Sequence, residues 1–377
     1  MEKLKIGITC YPSLGGSGVV ATELAKLLAE RGHEIHIITS SRPFRLNKHY
    51  PNIFYHPVEV SSYAVFQYLP YDIALANRMS EVILKEKLNV LHVHYAVPHA
   101  VCAVLAKDMS GVDVGIVTTL HGTDITVLGH DPALNGSIKY AINKSSATTS
   151  VSNALAIDTM RLIEPKKEIE TIYNFVDERV YRKRSADYLY DELGLSRDEK
   201  LVIHVSNFRK VKRISDIVET FHKIRKRTKA KLLLAGDGPE LPTAIEAVEL
   251  AGIQEDVMFL GKRDDLPELY SISHLKLLLS EQESFGLVLL EAMSCGVPCV
   301  GTAIGGIPEV IEHGVNGYVA PLGDTDTASA YALRILEDEG LHRRFSEEAM
   351  RSVRERFNSE QIVDQYEALY QKVAYYY

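Results

Sequence analysis

Short β-branched runs alternate with amphipathic helical stretches along this chain, and the alternation runs through twice. "LKIGITC" is followed by "VVATELAKLLAERG", where Val20, Leu24, Leu27 and Leu28 recur at helical spacing before Gly32 closes the helix. "EIHIITS", "VLHVHYA", "VGIVTTLHG" and "ATTSVS" then read as buried strands with helices between most of them. A second series begins at "LVIHVSN" and continues through "AKLLLAGDG", "VMFLG", "LKLLLS", "VPCVGT" and "GYVAP". Strand–helix alternation dictates parallel sheets with right-handed crossovers. Two such series predict an α/β protein of two doubly wound, Rossmann-like domains, and 377 residues are enough for both. Alternation lapses and charge rises over "IYNFVDERVYRKR", 172–184, which sets the expected boundary between 1–172 and 173–357. Ligands of open parallel sheets bind beyond the carboxyl ends of the strands. Two such domains facing one another would form a cleft between those ends.

The totals narrow the function classes. Net charge is −8, from 42 basic and 50 acidic residues, which argues against a nucleic-acid binder. The dense basic cluster "FRKVKR", 208–213, is local, and "KIRKRTK" at 223–229 reads as a solvated helix end. Cys10, Cys102, Cys295 and Cys299 lack zinc spacing and lie in apolar segments, so reduced core thiols are expected. No apolar run approaches the ~20 residues of a membrane span. "MEKLKIGITC" enters a strand directly, without a signal peptide's pattern, so a cytoplasmic protein without stable membrane association is expected.

The distinctive residues gather at strand ends. "YPSLGGSGVVATEL" places Gly15, Gly16, Ser17 and Gly18 between the first strand and first helix, where backbone approaches a ligand and helix N–H groups face an anion. The spacing is not the dinucleotide fingerprint, and a tight turn alone would also use these glycines; the Ser17 hydroxyl favours a site. In "TTLHGTD", His121 stands at a strand's carboxyl end among Thr119, Thr123 and Asp124. "HVHYAVPHA" carries His92 and His94 on one strand face with no third metal ligand evident, and Tyr95 at the strand end is the better contact. "SNFRKVKR" sets Asn207, Arg209 and Lys212 after the second domain's first strand, where cations suit a diphosphate. "AGDGPE" and "GTAIGGIPEV" are further glycine-rich strand-to-helix loops, the Gly305-Gly306 pair able to pass close to a ligand.

"EQESFGLVLLEAMSCG", 281–296, sets Glu283 and Glu291 around an apolar run. Were the whole stretch helical, eight positions would leave the acids about 80° apart. A helix starting near Gly286 instead puts Glu283 in the preceding loop and Glu291 on the second turn. Both then face whatever lies at the helix N-terminus, which favours an anion. A ligand with an anionic part and free hydroxyls, such as a nucleotide-sugar, fits.

The acid–x7–acid spacing of Glu283 and Glu291, with "HGTD", "GDGPE", "GGIPEV" and the N-terminal glycine loop in this order, resembles the retaining GT-B glycosyltransferases of family 4. The resemblance spans nearly the whole chain. It implies two Rossmann-like domains with an inter-domain cleft, and a last helix, 358–377, returned to the N-terminal domain, which gives the Tyr366 and Tyr370 stripe a surface. Within the family, "SSRPFRLN", "VHYAVPHA" and "HVSNFRKVKR" are similar to members that transfer N-acetylglucosamine from UDP-GlcNAc to the 2-hydroxyl of L-malate, opening bacillithiol biosynthesis. Alternatives are a related GT-B transferase with another donor or acceptor, or a UDP-GlcNAc 2-epimerase. No metal or other cofactor is expected; a homo-oligomer is possible.

The resemblance also implies roles. His121, Glu283, Lys212 and Arg209 form the catalytic set. Gly15, Gly16, Asn207, Lys262, Arg263, Ser284, Phe285, Gly286, Leu287 and Glu291 bind the donor, Glu291 through ribose hydroxyls and Lys262 and Arg263 by backbone to uracil. Ser17, Arg45, Tyr95, Thr119, Thr123 and Asn153 are acceptor candidates, although "PFRLNKHYPN" around Arg45 also reads as a surface turn. The chain departs from the family's Gly-Arg-x4-Lys motif: Ser206 and Asn207 replace Gly and Arg, Lys212 is kept, and Arg209 is the substitute for the displaced charge.

Overall fold

A computed structural model describes residues 2–12, 15–43, 45–46, 48–60 and 68–376. Ser13 and Leu14 of the first glycine loop, and Phe44 and Asn47 of "SSRPFRLN", lie outside the described residues. The chain divides into two compact units, Met1–Asn174 with Glu360–Tyr377, and Phe175–Ser359.

Seven strands of the first unit are β1 Lys5–Thr9, β2 Glu34–Thr39, β3 Ile53–Pro57, β4 Val90–His94, β5 Gly115–Leu120, β6 Ala147–Ser150 and β7 Glu170–Thr171. They pair in parallel in the order β3-β2-β1-β4-β5-β6-β7. Six strands of the second unit are β8 Lys200–Ser206, β9 Ala230–Gly236, β10 Val257–Gly261, β11 Leu275–Leu278, β12 Cys299–Thr302 and β13 Gly317–Ala320, in the order β10-β9-β8-β11-β12-β13. Both sheets are parallel and doubly wound. The winding reverses between β1 and β4 in one, and between β8 and β11 in the other. Loops leaving such neighbours diverge, which opens a crevice at their carboxyl ends.

Burial on both faces explains the near-continuous apolar strands. In the first unit, the helices Tyr71–Glu86 and Val101–Ser110 pack Leu75, Met79, Val82, Ala103 and Val104 on Ile38, Leu91, Val93 and Ile116. The last helix, Ser359–Tyr376, also packs on this sheet. Tyr370 Oη meets His92 Nδ1 at 2.6 Å, Tyr366 Oη meets Thr119 Oγ1 at 3.4 Å, and both rings are buried. A Cβ on Gly115 would come 2.3 Å from Val373 Cγ1, so β5 begins with a glycine where the helix crosses. Arg31 binds Asp364, Glu367 and the Glu360 carbonyl, and His33 Nε2 meets Glu367 Oε1 at 2.7 Å. In the second unit, Ile217, Phe221, Leu232, Leu234, Leu277, Val300, Ala332, Ile335 and Phe345 form the core.

The four cysteines are free and buried, and burial pushes each thiol up to about 12. Among the described residues no helix is long and apolar enough to cross a membrane.

Candidate active site

In the second unit, the winding reversal brings the loops after β8 and β11 together. Glu281 N–H donates to the Val211 carbonyl at 2.9 Å, and Lys212 Nζ meets Glu283 Oε2 at 2.6 Å. Ser280 Oγ is a weak second donor to Glu283 at 3.5 Å. The pair is one-sixth exposed, with side-chain accessibilities of 18% and 15%, so it is neither fully screened nor sealed from a ligand. Arg213, one residue on, is tied to Asp216 at 2.6 Å and Glu281 at 3.5 Å. Arg209 stands exposed just before the short turn Lys210–Lys212, and Asn207 is exposed after β8.

The helix Leu287–Ser294 begins where the sequence reading places it, with Gly286 at φ +89° as its N-cap. Leu289 Cδ1 would lie 2.9 Å from a Cβ there, so a side chain would be both strained and crowded. Glu283 is in the preceding loop and Glu291 is on the second turn. Glu291 is only 4% exposed, and its Oε2 accepts from Tyr270 Oη at 3.4 Å. Ser284 is partly exposed before the helix tip. The Phe285 side chain is buried and packs edge-on against Phe357 at 5.7 Å, so Phe285 offers a ligand its backbone and not its ring.

The glycine-rich loops approach protein backbone. A Cβ on Gly305 would lie 2.1 Å from the Glu283 carbonyl oxygen, and one on Gly306 would lie 2.3 Å from that of Ser284. Gly306 N–H donates to the Glu283 carbonyl at 3.0 Å. Gly236 and Gly238 crowd the Ser206 and Asn207 carbonyls in the same way. These glycines therefore act by letting one loop seat and aim another. Lys262 lies 3.9 Å from Asp237, and Arg263 is held by Asp265 at 2.6 Å and by Glu192 at 3.1 Å, so the Arg263 side chain is committed to surface carboxylates.

The first unit's reversal point is built from rings and hydroxyls. Gly15 caps the helix Gly16–Glu30 with extended φ/ψ, and among the described residues nothing lies within 4 Å of a Cβ placed on Gly16. Ser17 Oγ donates to Tyr95 Oη at 3.0 Å, joining the loops after β1 and β4; Tyr11 packs on the Tyr95 ring at 5.5 Å. His121, just past β5, shares a hydrogen bond between its Nε2 and His94 Nδ1 at 2.7 Å. His99 Nδ1–H donates to the His94 carbonyl at 2.5 Å. Burial holds all four neighbouring imidazoles neutral: it pushes His92 and His121 down to about 3, His99 to about 4, and His94 well below the ordinary range.

Asp124 is a site residue whose importance sequence alone did not reveal. Its buried carboxylate accepts from Ala96 N–H at 3.0 Å, Gly122 N–H at 3.0 Å and His121 N–H at 3.3 Å, so one side chain clamps the loops after β4 and β5. Burial raises it to about 6 against the lowering effect of those N–H bonds. Its place three residues after His121 was the available signal. Lys276 on β11 was missed too: it is fully buried, its Nζ has no hydrogen-bond partner among the described residues, and it lies 5.7 Å from the Tyr270 ring centre.

Thr119 faces inward. Its hydroxyl is buried between His92 Nε2 at 2.7 Å, Thr149 Oγ1 at 2.7 Å and Tyr366, so it supports the histidines from behind. Thr123 is exposed at the start of the short helix Thr123–Thr126. Asn153 Nδ2 donates to Tyr173 Oη at 2.7 Å, and Arg45 lies 3.7 Å from Glu23.

Residues 14–180 match the family model Glycosyltransferase Family 4, and residues 189–352 match Glycosyl transferases group 1. The chain is 60% identical over 371 residues to N-acetyl-alpha-D-glucosaminyl L-malate synthase of Bacillus anthracis, covering 98% of this chain and 97% of that protein. In fold it is similar to a glycosyltransferase from Rickettsia africae ESF-5, with TM-score 0.85, 19% identity and full coverage of both chains. It is similar as well to Anabaena Alr3699/HepE in complex with UDP and glucose, with TM-score 0.83, 21% identity, and 98% and 99% coverage. Identity of this extent, two family models in tandem and two doubly wound sheets with acids flanking a helix tip place the chain among the family 4 glycosyltransferases of GT-B fold.

Proposed function

We propose that the enzyme transfers N-acetylglucosamine from UDP-GlcNAc to the 2-hydroxyl of L-malate with retention of the α configuration, the opening step of bacillithiol biosynthesis. The observation that carries this reading is the 60% identity across 98% of the chain to a protein of that activity. It favours malate transfer over a sister donor–acceptor pair or an epimerase. In this reading 173–357 takes the nucleotide-sugar, and 1–172 with 358–377 takes the acceptor.

The chemistry follows from what each group can offer. As UDP departs, negative charge grows on the diphosphate. Lys212, with Arg209 and the N–H groups at Ser284–Leu287, meets that charge; Asn207 and the Gly15–Gly16 backbone add neutral donors. Before UDP-GlcNAc binds, the Lys212 ammonium is balanced by Glu283 at 2.6 Å. A sugar hydroxyl donating to Glu283 and a phosphate accepting from Lys212 would satisfy both members of that pair. Glu291 accepts from the ribose, and the backbone of Lys262 and Arg263 meets the base. Positive charge grows at the anomeric carbon, where a neutral His121 offers electron density rather than repulsion. The malate hydroxyl attacks the face that UDP leaves, and its proton passes to the departing phosphate oxygen. Catalysis is then positioning and electrostatics, with no carboxylate nucleophile and no cofactor. Arg45 is the cation for a malate carboxylate; Ser17, Tyr95, Thr123 and Asn153 are polar groups for the remainder.

UDP release measured with UDP-GlcNAc across a panel of hydroxy acids tests this. L-Malate should stimulate release far above the other acids, and the product should show an α-anomeric proton by NMR. Release without acceptor, or a better substrate among the other acids, would overturn the assignment.

A further inference from the structure

A cluster of metal-ligating side chains lies in the first unit, apart from the residues assigned to transfer. His36 on β2 and His56 on β3 point to the same sheet face, since His36 pairs with Phe54 and Ile38 pairs with His56. That face is covered by the helix Tyr71–Glu86, whose last residue is Glu86. One ligand atom from each of His36, His56 and Glu86 falls within 4.8 Å of the other two. The closest pair is His36 Nδ1 and His56 Nε2 at 2.9 Å.

The tautomers are set by a second contact. His36 Nε2 meets Glu34 Oε1 at 3.0 Å, and Glu34 is itself held by Lys5 at 2.8 Å. A carboxylate accepts, so His36 Nε2 carries the proton and His36 Nδ1 presents its lone pair to the cluster. Such a carboxylate–imidazole pair behind a ligand nitrogen is how metal-binding histidines are aimed and made more basic. Phe54 stacks on the His36 ring at 5.3 Å and fixes its plane. Two imidazoles and one carboxylate are donors that suit zinc and its first-row neighbours, and tetrahedral zinc is frequently held by three protein ligands.

We propose that His36, His56 and Glu86 bind one divalent transition-metal ion, zinc foremost, as a clip between the β2–β3 sheet edge and the end of the helix Tyr71–Glu86. A tetrahedral ion about 2.1 Å from each donor wants them about 3.4 Å apart. The two rings must therefore part by about half an ångström, and His56 must move its proton from Nε2 to Nδ1. No proton is released, because burial lowers both rings below the ordinary range, His56 to about 4, and both are already neutral. Glu86 supplies the negative charge that offsets the ion, against Lys85, which lies 3.8 Å from it and is largely exposed.

The full-length protein, stripped with EDTA and dialysed, is titrated with zinc by calorimetry and with cobalt by visible absorption. One equivalent is expected to bind, with ligand-field bands of a four-coordinate ion and a raised melting temperature. His56→Ala and Glu86→Gln, both at half-buried positions, should each weaken zinc affinity by at least ~10-fold while melting as the native chain does without metal. Glu86→Gln preserves shape, so it keeps the test open if His56→Ala folds poorly. A native chain that takes up no zinc, or a Glu86→Gln variant that keeps native affinity, overturns the proposal. Transferase activity is not the readout.

Discussion

The carboxyl ends of the two sheets make an instructive pair. Both lie where the winding reverses, β1/β4 in one unit and β8/β11 in the other, so topology offers each the same kind of crevice. Their contents differ in charge. The second unit places ions there: Lys212 with Glu283, and Arg213 with Asp216 and Glu281. The first unit places neutral imidazoles and hydroxyls there, joined as His94 to His121 and Ser17 to Tyr95, with Asp124 clamping two loops behind them. One fold therefore supports two electrostatic environments. The cations suit a diphosphate; the neutral rings tolerate a developing positive centre.

Acid gives the largest separation of the two. A histidine held neutral in the fold but titrating near 6.5 when unfolded adds stability above 6.5 that is lost as pH falls below it, by about 1.4 kcal/mol per ring per pH unit. With His92, His94, His99 and His121 depressed, these four rings should cost the first unit about 4 kcal/mol between pH 6.5 and 5.5. Asp124, raised to about 6, works the other way, gaining stability as pH falls from 6 toward 4, but it is one group against four. The second unit has His204 lowered to about 3, His274 to about 4 and His342 lowered by burial, three rings and a smaller loss. Hydrogen exchange, corrected for intrinsic rates, should show β4 and β5 opening before β8 and β9 at pH 5.5. Earlier opening of β8 would break the contrast.

Next in size is Glu283→Ala. The variant should cut turnover by ~10²-fold or more, about 2.7 kcal/mol, while the melting temperature holds. Native turnover in that variant would remove the charged pair from the reaction. Lys276→Met probes the buried amine behind that pair. Burial lowers this lysine to about 7, so the folded state is penalised progressively as pH falls from 10.5 to 7, and the penalty is full below 7. Replacing it should raise stability by about 2 kcal/mol at pH 6 and by less at pH 9. A destabilised variant at pH 6 would show that the amine is needed where it sits. The smallest effect is expected from Arg45→Ala: a rise of about 10-fold, or 1.4 kcal/mol, in KM for malate, with KM for UDP-GlcNAc little changed. Equal changes in both constants would refute an acceptor role.

Residues with a strong local signature were the legible ones. Gly286 followed by the apolar run Leu287–Leu290 marked the helix start, and the spacing from Glu283 to Glu291 placed one acid in the loop and one on the second turn. Contacts made at long separation were not legible. Thr119 stands near a strand end in the sequence, and Tyr366, 247 positions away, closes over it. Gly305 and Gly306 read as able to pass close to a ligand; their close approach to the Glu283 loop, which they seat, was not legible. Lys276 drew no reading within the strand "LKLLLS", and its burial follows from the central place of that strand in the sheet.

Sequence by itself determined the alternation, the two parallel sheets, the loops that carry chemistry and the spacing of the paired acids. All of these rest on periodicity and chain geometry within a few residues. Tertiary structure alone decided which groups are charged, which are neutral and which hydroxyls are already taken. Desolvation and hydrogen-bond partners settle those states, and both come from elements far apart in the chain.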